Sequence, residues 1–139
     1  MATSEKDFEG WFSYALELEN KEPPRRGFQE GEVWRCALGH NVGHELDGKS
    51  KRYWRPVLIL QKFSPDFFLG VPLSKSSNQR PFHIPVSIPD TAKGLKGKKS
   101  YLVINQLRAM DARRLQQLLT QLSPEALRYA RKAIIEMLN

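Results

Sequence analysis

Four side chains in the middle of the sequence have types that suit acid–base chemistry on a phosphate ester. His44 and Glu45 lie in a loop bounded by glycines, Arg55 opens an apolar run, and Ser74 closes a second one. A carboxylate or an imidazole can accept the proton of a 2′-hydroxyl, a guanidinium can bind a phosphate through paired hydrogen bonds, and a hydroxyl can donate one more. In principle these groups suffice to cleave RNA without a metal ion.

Each of these residues also has a purely structural interpretation. Arg55 could pair with Glu45, Ser74 could be a turn residue, and Trp54 could belong to the core. His83 alternates within a predicted edge strand, and we interpret it as structural. The residue types alone leave both interpretations open.

Cationic and aromatic side chains follow the candidate acid–base pair along the chain. This pairing is typical of single-stranded nucleic-acid binding, because bases stack on the rings and phosphates attract the cations. The formal net charge of +7 also favours a polyanionic partner, although charge alone does not distinguish nucleic acid from anionic lipid or an acidic protein. The predicted RNA contacts are Lys49, Lys51, Arg52, Tyr53 and Trp54.

The sequence carries no metal or cofactor signature. Cys36, His40 and His44 are spaced four apart, but a structural zinc site needs four ligands and no fourth candidate is nearby. A phosphate-binding glycine loop and a nucleophile elbow are both absent from the sequence. We expect neither a metal nor a cofactor.

The cysteine content and the apolar runs indicate the compartment. Cys36 is the single cysteine, which rules out an intrachain disulfide, fits a reducing environment and is predicted to be a small buried hydrophobe. No apolar run is long enough to span a bilayer, and the N-terminus lacks the order of a signal peptide. We expect a cytoplasmic protein without a membrane partner.

Length and composition predict one compact domain with an N-terminal extension. The chain has 139 residues, of which 40% are hydrophobic and 27% are charged. Apolar residues at helical spacing predict an amphipathic helix over 5–20, and a proline-rich linker follows, so we assign 1–27 to the extension and 28–139 to the domain. Phe8, Trp11 and Phe12 are predicted to pack on the domain or on a dimer partner, because three exposed aromatics would form a sticky patch.

The domain reads as short strands closed by a helix. Ser123 is predicted to cap a C-terminal helix that begins at Pro124, and Pro85 makes its strand an edge strand. Leucines at 115, 118, 119 and 122 have helical spacing. The predicted strands are 33–38, 55–61, 67–73, 82–86 and 101–105, which suggest a small, strongly curved sheet or barrel.

Five sequence blocks follow one another along the domain: G-E-V-W at 31–34, G-H-E at 43–45, R-P-V-L-I-L at 55–60, V-P-L-S at 71–74 and N-Q-L-R-A-M-D at 105–111. Blocks of this kind occur in the same order in the MazF/PemK (Kid) toxins of type II toxin-antitoxin systems. The chain from Phe28 onward resembles this family. The resemblance implies an α+β, mainly β fold: a small SH3-like β-barrel with a C-terminal helix, here with an extra N-terminal amphipathic helix.

The resemblance also implies an activity and partners. A member of this family would be a homodimeric, metal-independent endoribonuclease, an mRNA interferase. It would cut single-stranded RNA at short sequences and leave 2′,3′-cyclic phosphate and 5′-hydroxyl ends. A cognate antitoxin would neutralise it, and the toxin–antitoxin complex would bind DNA.

Several site residues coincide with family positions. Arg55 falls on the catalytic arginine, Ser74 on the catalytic Thr/Ser, His44 and Glu45 on the RNA-binding loop, and Gln106 on the glutamine of the D-Q block, where we expect an RNA contact. The family also has a short strand near Leu119 to Leu122, where the leucine spacing favours a helix, and we follow the resemblance there.

Two positions depart from the family pattern. Val103 and Asn105 replace an arginine and an aspartate that are proposed as acid and base in the PemK branch, so Glu45 or His44 would have to act. Two alternatives stay open: a toxin of the same fold that traps DNA gyrase, like CcdB, or an RNA-binding module that has lost catalysis.

Overall fold

The computed structural model describes residues 6–50, 52–75, 81–89 and 99–139, so the predicted contact Lys51 lies outside the described residues. In the described part, no helix is both long and apolar enough to cross a bilayer. The elements are α1 (Phe8–Glu19), β1 (Glu32–Ala37), β2 (Trp54–Ser64), β3 (Phe67–Ser74), β4 (His83–Val86), β5 (Ser100–Val103), β6 (Arg108–Asp111), β7 (Leu115–Gln121) and α2 (Pro124–Leu138).

The strands form one antiparallel sheet in the order β4-β5-β3-β2-β1-β7, and β6 pairs with the first half of β3. The predicted α+β, mainly β class is confirmed, and so is the edge position of β4. Within the described residues β4 and β7 each pair with one neighbour, so the sheet is open and the predicted barrel closure is corrected. Pro85 has no N–H to donate, which suits a strand at the end of a sheet.

Side chains on both faces of the sheet are buried. Along β2, Val57 and Ile59 contribute to one apolar core, whereas Leu58 and Leu60 contribute to the other, which α2 covers. Successive strand residues point to opposite faces, so a strand buried on both sides is apolar at every position. This double burial explains the continuous apolar run after Arg55. Because alternate residues lie in different cores, it also fixes the face of the sheet on which Arg55 lies.

β7 confirms the strand that the family pattern predicts and overrides the helical spacing of its leucines. Gln116 and Leu119 are extra residues at the two places where the register against β1 shifts. The bulge at Gln116 lets Leu115 and Leu118 pack against the same core. A bulged strand therefore produces the three-residue spacing that imitates a helix.

α2 begins as predicted. The Ser123 hydroxyl accepts a hydrogen bond from the Ala126 amide at 3.1 Å, and Pro124 occupies the first turn. Such a cap satisfies one of the amide groups that have no partner inside the helix. β6, in contrast, was not predicted.

α1 packs against the sheet domain through only part of its apolar surface. Trp11, Tyr14 and Leu18 lie on the inner face, with Leu18 buried. Phe8 is partly exposed and Phe12 is 65% exposed. Of the three predicted contacts, that of Trp11 with the domain is confirmed, whereas Phe8 and Phe12 lie on the adjacent, exposed helix face. Their packing on a dimer partner stays a prediction.

Candidate active site

Arg55 connects two parts of the chain that carry candidate catalytic residues. Its Nε donates to the Asp47 carbonyl oxygen at 2.8 Å, and its Nη1 donates to the Leu73 carbonyl oxygen at 3.1 Å. Burial holds the pKa of Arg55 below its ordinary value, and the nearby Asp47 carboxylate acts in the opposite direction. A guanidinium nevertheless stays charged in proteins, so Arg55 is a fixed cation between the β1–β2 loop (residues 38–53) and the end of β3.

Arg55 lines two adjacent cavities. The first has a volume of about 250 Å³ and also contains Ser74 and Trp54. The second, of about 680 Å³, also contains His44 and Glu45. Arg55 and Lys49 line both cavities, so the two adjoin at these cations.

A third cavity extends the depression beyond the acid–base pair. It has a volume of about 610 Å³ and shares His44 and Glu45 with the second cavity. Asn105, Gln106 and Arg108 form part of its other wall. Neighbouring cavities share lining residues, and we call the three together the Arg55 groove.

The structure places all four predicted catalytic residues along this groove, with Arg55 in the middle. Ser74 lies on one side, and His44 and Glu45 are exposed on the other. The Glu45 carboxylate accepts a hydrogen bond from the Val42 amide at 3.0 Å, so it closes a turn of its own loop. Ser74 and Glu45 share no cavity, and the cations Arg55 and Lys49 face the cavities of both.

Gln106 also holds the β1–β2 loop, through backbone groups other than the one that Arg55 contacts. Its Oε1 accepts a hydrogen bond from the Leu46 amide at 3.2 Å, and its Nε2 donates to the His44 carbonyl oxygen at 3.1 Å. The amide therefore fixes the backbone on both sides of Glu45. Its predicted contact with RNA stays a prediction, and this bracing role was not foreseen from the sequence.

Trp54 and its neighbouring cations lie at the first cavity. The Arg35 guanidinium lies 4.6 Å from the centre of the Trp54 ring, and that of Arg52 lies 5.7 Å away. Lys49 and Trp54 also exchange backbone hydrogen bonds of 2.6 and 2.7 Å, which place the lysine at the groove. A ring flanked by cations suits both base stacking and phosphate attraction.

Tyr53 has a different environment from the one predicted. Its side chain is only 6% exposed, and Trp11, Tyr14 and His40 pack around its ring. Its hydroxyl donates to the Asp7 carboxylate at 3.0 Å. The predicted stacking of RNA on Tyr53 is corrected, because α1 covers the ring in this structure.

Sequence reasoning missed further cations of the groove, namely Arg35, Lys75, Arg108 and Lys6. A signal existed for Arg35, because it is the one cation inside an otherwise buried strand. Lys75 directly follows Ser74 and lines the same cavity. Lys6 gave no signal, since it is far from the loop in sequence.

The fold and the groove define a class of protein: a small, mainly antiparallel sheet with a C-terminal helix and a cationic groove suited to a nucleic-acid strand. The family model described as PemK-like, MazF-like toxin of type II toxin-antitoxin system matches residues 29–138. The chain belongs to this family, which confirms the resemblance seen in the sequence.

Solved structures of similar fold agree with this assignment. MazF from Deinococcus radiodurans has a TM-score of 0.59 and 17% identity, with 85% of this chain and 98% of that chain covered. An endoribonuclease from Mycobacterial species has a TM-score of 0.57 and 15% identity, with 81% and 91% covered. An endoribonuclease in complex with its cognate antitoxin, also from Mycobacterial species, has a TM-score of 0.56 and 16% identity, with 80% and 94% covered. A search of curated proteins gives no match.

Proposed function

We propose that this chain is a toxin that cleaves single-stranded RNA at short sequences without a metal ion. The observation that carries the proposal is the position of Arg55, a fixed cation between Ser74 on one side and His44 with Glu45 on the other. Membership of the PemK/MazF family supports it, as do the similar structures described as endoribonucleases.

In the proposed reaction, the groove residues act in two proton-transfer steps and in stabilising the charge between them. With the scissile phosphate at Arg55, Glu45 or His44 takes the proton from the 2′-hydroxyl, and the 2′-oxygen attacks phosphorus. Arg55 and the Ser74 hydroxyl stabilise the negative charge of the phosphorane. The bond from phosphorus to the 5′-oxygen then breaks, and the other member of the pair, in its protonated form, donates its own proton to that oxygen. The products are a 2′,3′-cyclic phosphate and a 5′-hydroxyl.

The remainder of the groove accommodates the nucleotides beside the cut. Trp54, with Arg35 over its ring, offers a stacking surface and a cation in the first cavity. In the third cavity, the side-chain amides of Asn105 and Gln106 carry both donors and acceptors. Such groups can read the edges of unpaired bases, which supplies a physical basis for sequence preference.

The partners in the proposal follow the family. One of the similar structures is an endoribonuclease with its cognate antitoxin, and we propose that an antitoxin neutralises this chain as well. We further propose a cytoplasmic homodimer and DNA binding through the antitoxin complex.

The test of this function is incubation of the purified chain with a long single-stranded RNA in excess EDTA. We expect discrete fragments whose 5′ ends are hydroxyls and whose 3′ ends carry cyclic phosphate. The pH profiles of Glu45→Gln and His44→Gln then identify the base, because loss of the base removes the acidic limb of the rate profile, whereas loss of the acid removes the alkaline limb. Intact RNA after prolonged incubation with the folded protein would overturn the proposal.

A second candidate function is RNA binding without cleavage. Val103 is fully buried and Asn105 is an amide, so neither offers a titrating group, and the Glu45 carboxylate is engaged by its own loop. This alternative predicts salt-dependent binding of RNA that remains intact. Inhibition of DNA supercoiling in a gyrase assay, with RNA left uncut, would instead indicate a gyrase-targeting toxin of the same fold.

A further inference from the structure

The β1–β2 loop, which carries His44 and Glu45, is held by a segment that precedes the family-matched region. That match begins at residue 29. Residues 6–14, which we call the N-terminal brace, contact the loop through Lys6, Asp7, Trp11 and Tyr14. The family pattern alone therefore does not account for the order of this loop.

Lys6 makes the contacts closest to the acid–base pair. Its ammonium group donates to the carbonyl oxygens of Asn41, at 2.5 Å, and Gly43, at 3.1 Å. It also forms an ion pair with the Asp47 carboxylate at 3.3 Å. Lys6 thus joins both ends of the segment that contains His44 and Glu45.

Asp47 transmits this contact to the groove. Its side chain accepts a hydrogen bond from the Asn41 amide at 2.5 Å, while its backbone carbonyl accepts the 2.8 Å bond from Arg55 Nε. Lys6 and Arg55 therefore hold the same loop residue through different atoms. Both also line the second cavity.

The base of the loop is held by α1 and the residue before it. Tyr53 has a φ of 57°, a left-handed conformation that is unfavourable for a residue with a Cβ. Such a conformation persists only where surrounding contacts hold it in place. Here Trp11 and Tyr14 pack on the Tyr53 ring, and the Asp7 carboxylate accepts a hydrogen bond from the Tyr53 hydroxyl. Tyr53 lies two residues before Arg55, so α1 supports the turn that leads into the catalytic strand.

The fit between α1 and the loop is close. A Cβ placed on Gly39 would lie 2.3 Å from the Trp11 ring, and Gly39 has a φ of 84°. The absence of a side chain at Gly39 therefore lets the indole lie directly on the loop backbone. The Asp7 amide adds a hydrogen bond to His40 Nδ1 at 2.7 Å.

We propose that the N-terminal brace positions the catalytic loop and that Lys6 is its principal positioning residue. The inference rests on the proposed function, because it assigns a means of control to the same site. When the brace is docked, the loop backbone from Asn41 to Asp47 is fixed and Arg55 keeps its partner on Asp47. When the brace is released, the acid–base pair loses its fixed distance from Arg55, and cleavage slows.

The test compares Lys6→Met, Lys6→Arg and the control Phe12→Ser in the full chain. Lys6→Met keeps the side-chain length and removes the ammonium group, Lys6→Arg keeps a cationic donor, and Phe12 lies on the exposed face of α1. We expect Lys6→Met to raise hydrogen exchange at amides 41–47 by about tenfold, with exchange in β2 and β3 unchanged. We expect Lys6→Arg to restore much of the protection and Phe12→Ser to match wild type.

The same variants are assayed for RNA cleavage. Lys6→Met is expected to lower kcat by about tenfold with little change in KM, because misplacement of catalytic groups slows the chemical step. Wild-type exchange at 41–47 in Lys6→Met would overturn the brace, and faster exchange with an unchanged kcat would overturn its catalytic role. If wild type does not cleave RNA, the proposed function fails, whereas the exchange measurement still decides whether the brace holds the loop.

Discussion

The substitution Gln106→Met tests whether the catalytic loop is held from the side of the sheet. Methionine has about the same length as glutamine but cannot form the two hydrogen bonds to the Leu46 amide and the His44 carbonyl oxygen. His44 is exposed and Leu46 is half-buried, so water can replace the lost partners when the loop opens. The substitution should therefore loosen the loop without unfolding the sheet.

The size of the effect follows from the two contacts. A net contribution of about 0.5–1.5 kcal/mol for each hydrogen bond gives a total of about 1–3 kcal/mol in the free energy of loop opening. Because 1.4 kcal/mol corresponds to a factor of ten, the opening constant should rise roughly 5- to 150-fold. Gln106 contributes nothing to the apolar cores, so the free energy of global unfolding should change by less than the opening free energy.

Hydrogen exchange resolved at the Leu46 amide measures this opening directly, because Gln106 is its acceptor. Gln61→Met is the matched control, since Gln61 is exposed on β2, and it should leave Leu46 protection at the wild-type value. Unchanged Leu46 exchange in Gln106→Met, or an equal rise throughout the sheet, would refute the assigned role of Gln106.

Three further predictions concern stability and reactivity. Gly70→Ala places a Cβ 2.5 Å from Met110 Cε and 2.6 Å from Val57 Cγ1, in the core that α2 does not cover. The free energy of unfolding by denaturant should therefore fall by about 1–3 kcal/mol at an unchanged m-value. Cys36 is buried with its pKa raised to about 12, so a thiol reagent should modify it only at the rate of unfolding, and rapid native labelling would contradict this. Two hydrogen bonds hold the pKa of Asp7 below its ordinary value of 3.8: the one from the Gly10 amide has the larger effect, and the one from the Tyr53 hydroxyl comes second. The stabilisation from ionised Asp7 is therefore present above pH 3.8 and is lost as the pH falls through the lowered pKa. NMR signals of the Tyr53 ring should report this loss, and Asp7→Asn should abolish the pH dependence of those signals.

Local sequence patterns predicted the parts of the fold that depend on local physics. The apolar run after Arg55 predicted a buried strand, and Ser123 before Pro124 predicted the start of a helix, because both signals lie within a few residues. β7 lies at the limit of such reasoning. Its bulges at Gln116 and Leu119 arise from pairing with β1, which is distant in sequence, so leucine spacing alone favours a helix.

The candidate site was predictable to a similar extent. Arg55 and Ser74 stand at strand ends, and antiparallel pairing of β2 with β3 brings those ends together. Tyr53 was misassigned because an aromatic residue beside cations resembles a stacking surface until α1 is placed over it. The role of Lys6 depends on a contact with Asn41, 35 residues away, and no local pattern encodes that distance.

The sequence predicted the packing of α1 but not the helix face that packs. Its apolar residues cover two adjacent helix faces, and spacing alone does not decide which face meets the sheet. Trp11 was selected by the fit to Gly39, whereas Phe12 was left exposed. A helix with a broad apolar surface therefore predicts packing but not the residues that carry it.

The most direct test of the central claim is the cleavage rate of Arg55→Ala at saturating RNA in EDTA, compared with Arg128→Ala. Arg128 is an exposed arginine on α2, paired with Glu125, and serves as the matched loss of one cation. If Arg55 stabilises the phosphorane, Arg55→Ala should lower the rate by about 100-fold or more, while Arg128→Ala should cleave like wild type. A folded Arg55→Ala protein that cleaves RNA at the wild-type rate would contradict the account.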